Sequence, residues 1–213
     1  MSKCIAIMGE SGSGKTTSLR NLPPKETYYI DCDKKGLSWK GWRTQYNEES
    51  HNYTVTNEPS KVLALMKNIS EKATHIKYLV IDTINGIMVG DEMRRAKEKG
   101  YDKWMDLAQS VWDIAEVANT LRNDLTVIIL AHSQTERDES GYNFTRIKTS
   151  GRKVDKIVLE SKFTTVLLAK GNDGKYLLET KANHSTAKTP FGAFEEDEIE
   201  NDIMLVIKAL EDF

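Results

Sequence analysis

The chain has 213 residues, 39% of them hydrophobic and 29% charged, with a formal net charge of -2. That length is enough to bury one sizeable core. The charge balance excludes a globally basic nucleic-acid-binding protein, so any anion-binding surface must be local. No run of 18 apolar residues occurs, which excludes a membrane-spanning helix, and four prolines argue against long disordered linkers.

In chain order, Lys3–Met8 is a short apolar run that begins so early that no signal peptide is expected. Gly9–Thr16 is rich in glycine and serine, and Thr17–Asn21 is expected to open a helix that stops before Pro23-Pro24. Thr27–Cys32 reads as a strand, being aromatic and β-branched. Cys4 and Cys32 lie in apolar runs and are expected to be buried free thiols, as suits a cytoplasmic protein. Residues 33–57 read as irregular, with Trp39 and Trp42 as packing anchors. Ser60–Lys72 has Val62, Leu65, Met66 and Ile69 at helical spacing, with Ser60 in the N-cap position.

Lys77–Asp82 is a buried strand. A helix over Lys103–Arg122 carries the apolar stripe Trp104, Leu107, Val111, Ile114, Ala115 and Ala118. Leu125–Ala131 is another buried strand, and His132–Val154 reads as a long polar loop. Phe163–Ala169 and Tyr176–Thr180 are expected to pair as a hairpin turning at Asn172-Asp173-Gly174. An acidic run, Glu195–Asp202, reads as a solvated face before a last helix or strand, Ile203–Leu210. Strands alternating with helices predict one α/β domain over residues 1–213, with a mostly parallel sheet covered on both faces.

Gly9-Glu10-Ser11-Gly12-Ser13-Gly14-Lys15-Thr16 fits G-x-x-x-x-G-K-[ST] between a strand and a predicted helix, the setting of a phosphate-binding loop (P-loop). Glycines there let the backbone turn its N–H groups toward phosphate oxygens. The pattern gives Gly9–Thr17 as the nucleotide-binding segment, Lys15 as the cation for the β- and γ-phosphates, and Thr16 as a Mg²⁺ ligand. Tyr78-Leu79-Val80-Ile81-Asp82 is an apolar strand ending in a carboxylate, so Asp82 is the second metal residue. ATP and Mg²⁺ are therefore the expected cofactors. Thr83 follows Asp82 where many ATPases place a water-activating Glu, so the base must lie elsewhere.

Several points in order resemble the RecA-like ATPases: the P-loop, then Ile30-Asp31-Cys32-Asp33, then Ile81-Asp82-Thr83-Ile84, then a strand ending in Ala131-His132. Asp33 and Asp82 are 49 residues apart and Asp82 and His132 are 50 apart, intervals of the size that core has. The resemblance implies that a strand beside the P-loop strand carries the catalytic carboxylate, here Asp33, and that His132 stands for the γ-phosphate-sensing Gln. Both are departures from the family pattern. Asp is one methylene shorter than Glu, and a histidine can change protonation near neutral pH.

The loop after the sensor strand contacts single-stranded DNA in the recombinases of this family. Here Arg146, Lys148, Arg152, Lys153 and Lys156 stand against Asp155, a net +4, with Tyr142 and Phe144 as stacking faces. Lysines after the last core strands reach a neighbour's ATP in that family, which implicates Lys188 or Lys181. The whole is similar to the short RecA-like single-strand-annealing proteins of bacteriophages. That likeness implies single-stranded DNA, a homo-oligomer and a single-strand DNA-binding protein as partners. With the P-loop starting at Gly9, no N-terminal oligomerisation arm is expected, which bears against filaments. A P-loop kinase of a small molecule is the alternative, with Arg94-Arg95 as lid candidates, and an assembly NTPase with a protein partner is the third reading.

Overall fold

The computed structural model describes residues 2–100, 102–149, 158–172 and 174–213. Five parallel pairings build the sheet: β1 (Lys3–Gly9) lies between β5 (Thr126–Arg137) and β7 (Thr165–Asn172), β4 (Tyr78–Asp82) follows β5, and β2 (Thr27–Asp31) and β3 (Tyr53–Val55) complete that side. Beyond β7 the sheet continues antiparallel through β8 (Lys175–Glu179) and β9 (Glu198–Glu200). The mostly parallel α/β sheet expected from the alternating pattern is thus present. Asn172 pairs with Lys175, so the hairpin turns at the expected place, although Asp173 lies outside the described residues.

Period-two alternation divides the strand residues between two cores. Cys4, Ala6 and Met8 of β1 face a layer made by α2 (Pro59–Lys72), α3 (Ile84–Arg94) and α4 (Asp102–Thr120). Ile5 and Ile7 face the other side, where Leu19, Leu22, Tyr46 and the buried residues of α5 (Ile203–Ala209) pack. Trp39 and Trp42 (the latter opening the single-turn helix α1, Trp42–Gln45) pack on that second core beside Tyr46 and Tyr53, as anchors should. Cys4 and Cys32 are free and buried. None of the described helices is long and apolar enough to cross a membrane.

The structure departs from the sequence expectations at several points. Residues 17–21 form a single 3-10 turn, Thr17–Leu19, and not an α-helix. The 33–57 segment contains α1 and β3. Helix α2 starts at Pro59 with Glu58 as N-cap, because Pro presets the first helical φ; Ser60 is already inside the helix. Helix α3 is not announced by the sequence: its two glycines and one-turn spread of buried residues, Ile84, Asn85, Ile87 and Met88, hide the usual stripe.

The long loop after Ala131 is largely a hairpin. β5 runs on to Arg137 and pairs antiparallel with β6 (Asn143–Ile147), so Phe144, Thr145 and Ile147 are ladder residues. Segment 183–187 then docks on β6, with Thr145 N donating to His184 O and Thr186 N to Thr145 O, both at 2.8 Å.

Candidate nucleotide-binding site

The carboxyl ends of β1, β2, β4 and β5 converge on one edge, where open α/β sheets hold ligands. Gly12 and Gly14 take φ of 81° and 93°, backbone that favours glycine. Gly14 has a second reason: a Cβ there would lie 2.9 Å from Tyr176 Cδ1 and 3.2 Å from Asn201 Nδ2. Within the loop Ser13 N donates to Glu10 O (3.2 Å) and Ser18 N to Gly14 O (2.9 Å), giving a compact turn. Glu10 and Ser11 are exposed, Ser13 Oγ is buried without a partner, and Thr17 Oγ1 lies 2.9 Å from Ser38 Oγ.

Lys15 is only 6% exposed, and its Nζ donates to Gly9 O (2.8 Å) and Glu10 O (2.7 Å). Burial, seconded by the nearby Lys35 ammonium, pulls its pKa down to about 8, against the opposing pull of Asp82 and Asp33. It is still mostly charged near neutral pH.

Thr16 and Asp82, 66 residues apart, meet: Thr16 Oγ1 donates to Asp82 Oδ2 at 3.0 Å. Tyr29 Oη donates to the same oxygen. Asp82 Oδ1 is buried and has no hydrogen-bond donor. Burial raises the Asp82 pKa, offset in part by Lys35, Tyr29 and Thr16. A buried carboxylate with an open oxygen, beside a hydroxyl, fits a hard divalent cation. Among the described residues no group of three His, Cys, Asp or Glu could cage a metal unaided. Mg²⁺ does not require one, since phosphate oxygens and water complete its shell. The donor set fits.

Asp33 arrives from β2, which is not beside β1: β4 and β5 intervene, correcting the expected adjacency. It reaches the site because β2 and β4 run in register, Asp31 opposite Asp82. Asp31 then locks the following turn, its carboxylate accepting from Asp33 N (3.1 Å), Lys34 N (2.8 Å), Gly36 N (2.8 Å) and Tyr53 Oη (2.7 Å). Asp33 Oδ1 accepts from Thr83 Oγ1 (3.1 Å), and Oδ2 pairs with Lys35 Nζ (2.7 Å). The Asp82–Thr83 peptide is cis. Thr83 also caps α3, accepting from Gly86 N.

That cap brings α3 tightly against β2. A Cβ on Gly86 would lie 2.5 Å from Asp33 Oδ1 and 2.6 Å from Cys32 O. Gly86→Ala should therefore cost about 1–3 kcal/mol of stability, as overpacking does. It should slow any turnover that uses Asp33 while leaving nucleotide affinity near wild type. Denaturant unfolding and calorimetric titration check this; wild-type stability would mean the contact does not constrain Asp33.

His132 is placed beside Gly9 by the β1–β5 register. Burial, and then Lys15, lower its pKa, so the imidazole is neutral at pH 7. Its backbone joins a junction that the sequence reading missed. Asn85 Oδ1 accepts from His132 N (2.7 Å), Asn85 Nδ2 donates to Lys148 O (2.8 Å), and Lys148 N donates to His132 O (2.7 Å). A cleft of about 300 Å³ opens between Cys32, Asp33, Asn85, Gly86 and His132.

A family model described as an AAA domain matches residues 1–191. The chain belongs to this family. The AAA domain is thus a P-loop NTPase-type, nucleotide-binding α/β domain, and β1 through Lys188 fall within the match while β9 and α5 lie beyond it. No curated protein matches the chain.

Other candidates of the AAA domain fare differently. Arg146 is not free for phosphate: it pairs with Glu136 across the hairpin at 3.4 Å and its side chain is 12% exposed. Lys148 is exposed; Arg152, Lys153 and Lys156 lie outside the described residues. Tyr142 stacks on His184, with ring centroids 4.7 Å apart. Lys181 is held by Asp197 (3.0 Å) and Glu195 O (2.7 Å). Lys188 is exposed and bridges Val166 through its backbone, which places it level with Ala6 on the far side of β7 and roughly 10 Å short of Gly9 along the sheet. The acidic run is partly structural: Glu198 and Glu200 lie in β9, and Asp202 caps α5. Lys35, Tyr29, Asp31 and Asn85 are the site residues not anticipated; the only local signal was Thr83 three residues before Gly86, a capping pattern.

Proposed function

We propose that this AAA domain binds and hydrolyses Mg-ATP and uses the nucleotide to control a grip on single-stranded DNA, in phage recombination or strand annealing. The observation that carries the proposal is the Asn85 junction. One amide ties His132, beside the P-loop, to Lys148, where the basic segment begins. Mg²⁺ at Thr16 and Asp82 would neutralise charge on the β- and γ-phosphates. Lys15 leaves its two carbonyls for the phosphates, and Asp33 accepts a proton from the attacking water. Neutral His132 donates its ring N–H to the γ-phosphate, and the change is felt at Lys148 through shared hydrogen bonds. In this reading Lys188, exposed and with no ion pair among the described residues, serves a neighbouring copy on DNA.

The kinase reading would need Arg94 and Arg95 as its lid, and both already have surface partners. Arg94 is held by Asn57 and Asp91, and Arg95 by Glu98 and Asp106.

The test is DNA affinity across a salt series with an ATP analogue. About four phosphate contacts predict a log–log slope near -3 on single strands. Because Arg146 is paired, the variant replaces Lys148, Arg152, Lys153 and Lys156 with Ala; it should flatten the slope and weaken binding to every sequence. Equal affinity and slope in variant and wild type would remove the DNA reading.

A further inference from the structure

Lys35 belongs to no motif, yet it sits between the two carboxylates of the site. Its Nζ is 2.7 Å from Asp33 Oδ2 and 3.7 Å from Asp82 Oδ1. The second of these oxygens is the buried one with no hydrogen-bond donor, on a carboxylate whose side chain is 1% exposed. Lys35 is the one cation paired with Asp82 among the described residues. A buried charge without a counter-charge is costly, so this ammonium stands where a cation is needed.

We propose that Lys35 is a tethered counter-ion of the metal site. It offsets part of the charge on Asp33 and Asp82 while no divalent cation is bound, and it must give up Asp82 before one can be held there. The turn that carries it is fixed by the three backbone N–H groups donated to Asp31, so the Lys35 backbone stays in place. Its side chain is 45% exposed, which leaves the ammonium room to swing.

The functional consequence is conditional metal loading. Mg²⁺ by itself has to displace an ammonium already paired with the carboxylate. Mg²⁺ arriving with a nucleotide brings phosphate oxygens that offer the ammonium another anion and complete the metal's own shell. The site then fills with the pair and resists the metal alone. This rests on the Mg²⁺ site read at Thr16 and Asp82 and is independent of DNA binding.

The test uses the full chain without nucleotide. Wild type, Lys35→Met, Lys35→Gln, Lys35→Arg and Asp82→Asn are melted in EDTA and then across a MgCl₂ series, with Mn²⁺ binding followed by electron paramagnetic resonance. Lys35→Met keeps the side-chain length without the charge, and Lys35→Gln adds a donor for Asp33 in case the apolar end prevents folding. Both should melt lower than wild type in EDTA, because two carboxylates lose their counter-ion. Both should be restabilised by Mg²⁺ with a midpoint lower than that of wild type by about tenfold or more, as removal of a competing unit charge at this separation requires. Lys35→Arg should behave as wild type, and Asp82→Asn should lose the metal response. Equal Mg²⁺ midpoints in wild type and the neutral variants would overturn the counter-ion role and leave the metal site standing. No Mg²⁺ or Mn²⁺ response in any variant would overturn both.

Discussion

Asp33→Asn should leave ATP bound while slowing its hydrolysis by roughly 10²–10⁴-fold, the range over which loss of a general base is felt. Asparagine keeps the acceptor that Thr83 Oγ1 donates to, so the turn after β2 should stay in place. It cannot take up a proton, and its neutral amide holds Lys35 more weakly than the carboxylate does at 2.7 Å. Single-turnover hydrolysis, set against the affinity for a non-hydrolysable analogue, separates chemistry from binding. Normal hydrolysis in this variant would mean that the base is another group. Asp82→Asn makes the useful contrast: it should raise the Mg²⁺ concentration needed for nucleotide binding as well as reduce turnover, because Asp82 and Thr16 are the paired oxygen donors.

Lys15→Ala should cost nucleotide affinity about 10²-fold or more, since charge-assisted hydrogen bonds to the phosphates are each worth roughly 1.5–3 kcal/mol. The structure adds an effect on the free protein. A lysine that faced only the ligand would leave apo stability untouched. Here Nζ satisfies Gly9 O and Glu10 O from a buried position. Truncation leaves those carbonyls without that donor, and the free protein should lose about 1–3 kcal/mol. Calorimetric titration with nucleotide and melting of the apo protein give the two numbers. Wild-type affinity would remove the phosphate-binding role of this loop; unchanged apo stability would mean that the two carbonyls are satisfied without Lys15.

The parts of the site that were legible in advance are those whose chemistry is local. Gly9–Thr16 declares itself because consecutive backbone N–H groups need glycines at fixed offsets, and Gly14 adopts the positive φ that this requires. Asp82 was legible because a buried strand ending in a carboxylate is a local pattern, and the hydrogen bond to Thr16 links the two motifs. The two cores follow from alternation along β1, β4 and β5, which needs no knowledge of neighbours. The stripe on α4 likewise named Leu107, Val111 and Ile114 as core.

What escaped the sequence depends on which strands become neighbours. β2 lies beside β4 and not beside β1, and only that order places Tyr29 and Lys35 on Asp82. Helix α3 escaped because it is set by the Thr83 cap and by the close approach of Gly86 to Cys32 and Asp33, not by an apolar stripe. The β5–β6 hairpin escaped because its polar side chains read as loop, while the ladder that holds it is backbone, indifferent to side-chain polarity. Arg146 shows the same limit for charge: sequence counts it as a basic residue, and the cross-strand pair with Glu136 decides that it is partnered. The α/β class, the glycine-rich P-loop pattern and the strand ending in Asp82 were legible from sequence, because each is written in residues close together in the chain. Sheet order, the Asn85 junction and the placing of Lys35 come from the folded chain, because hydrogen bonds and ion pairs across 47 or more residues exist only once parallel strands have chosen their neighbours.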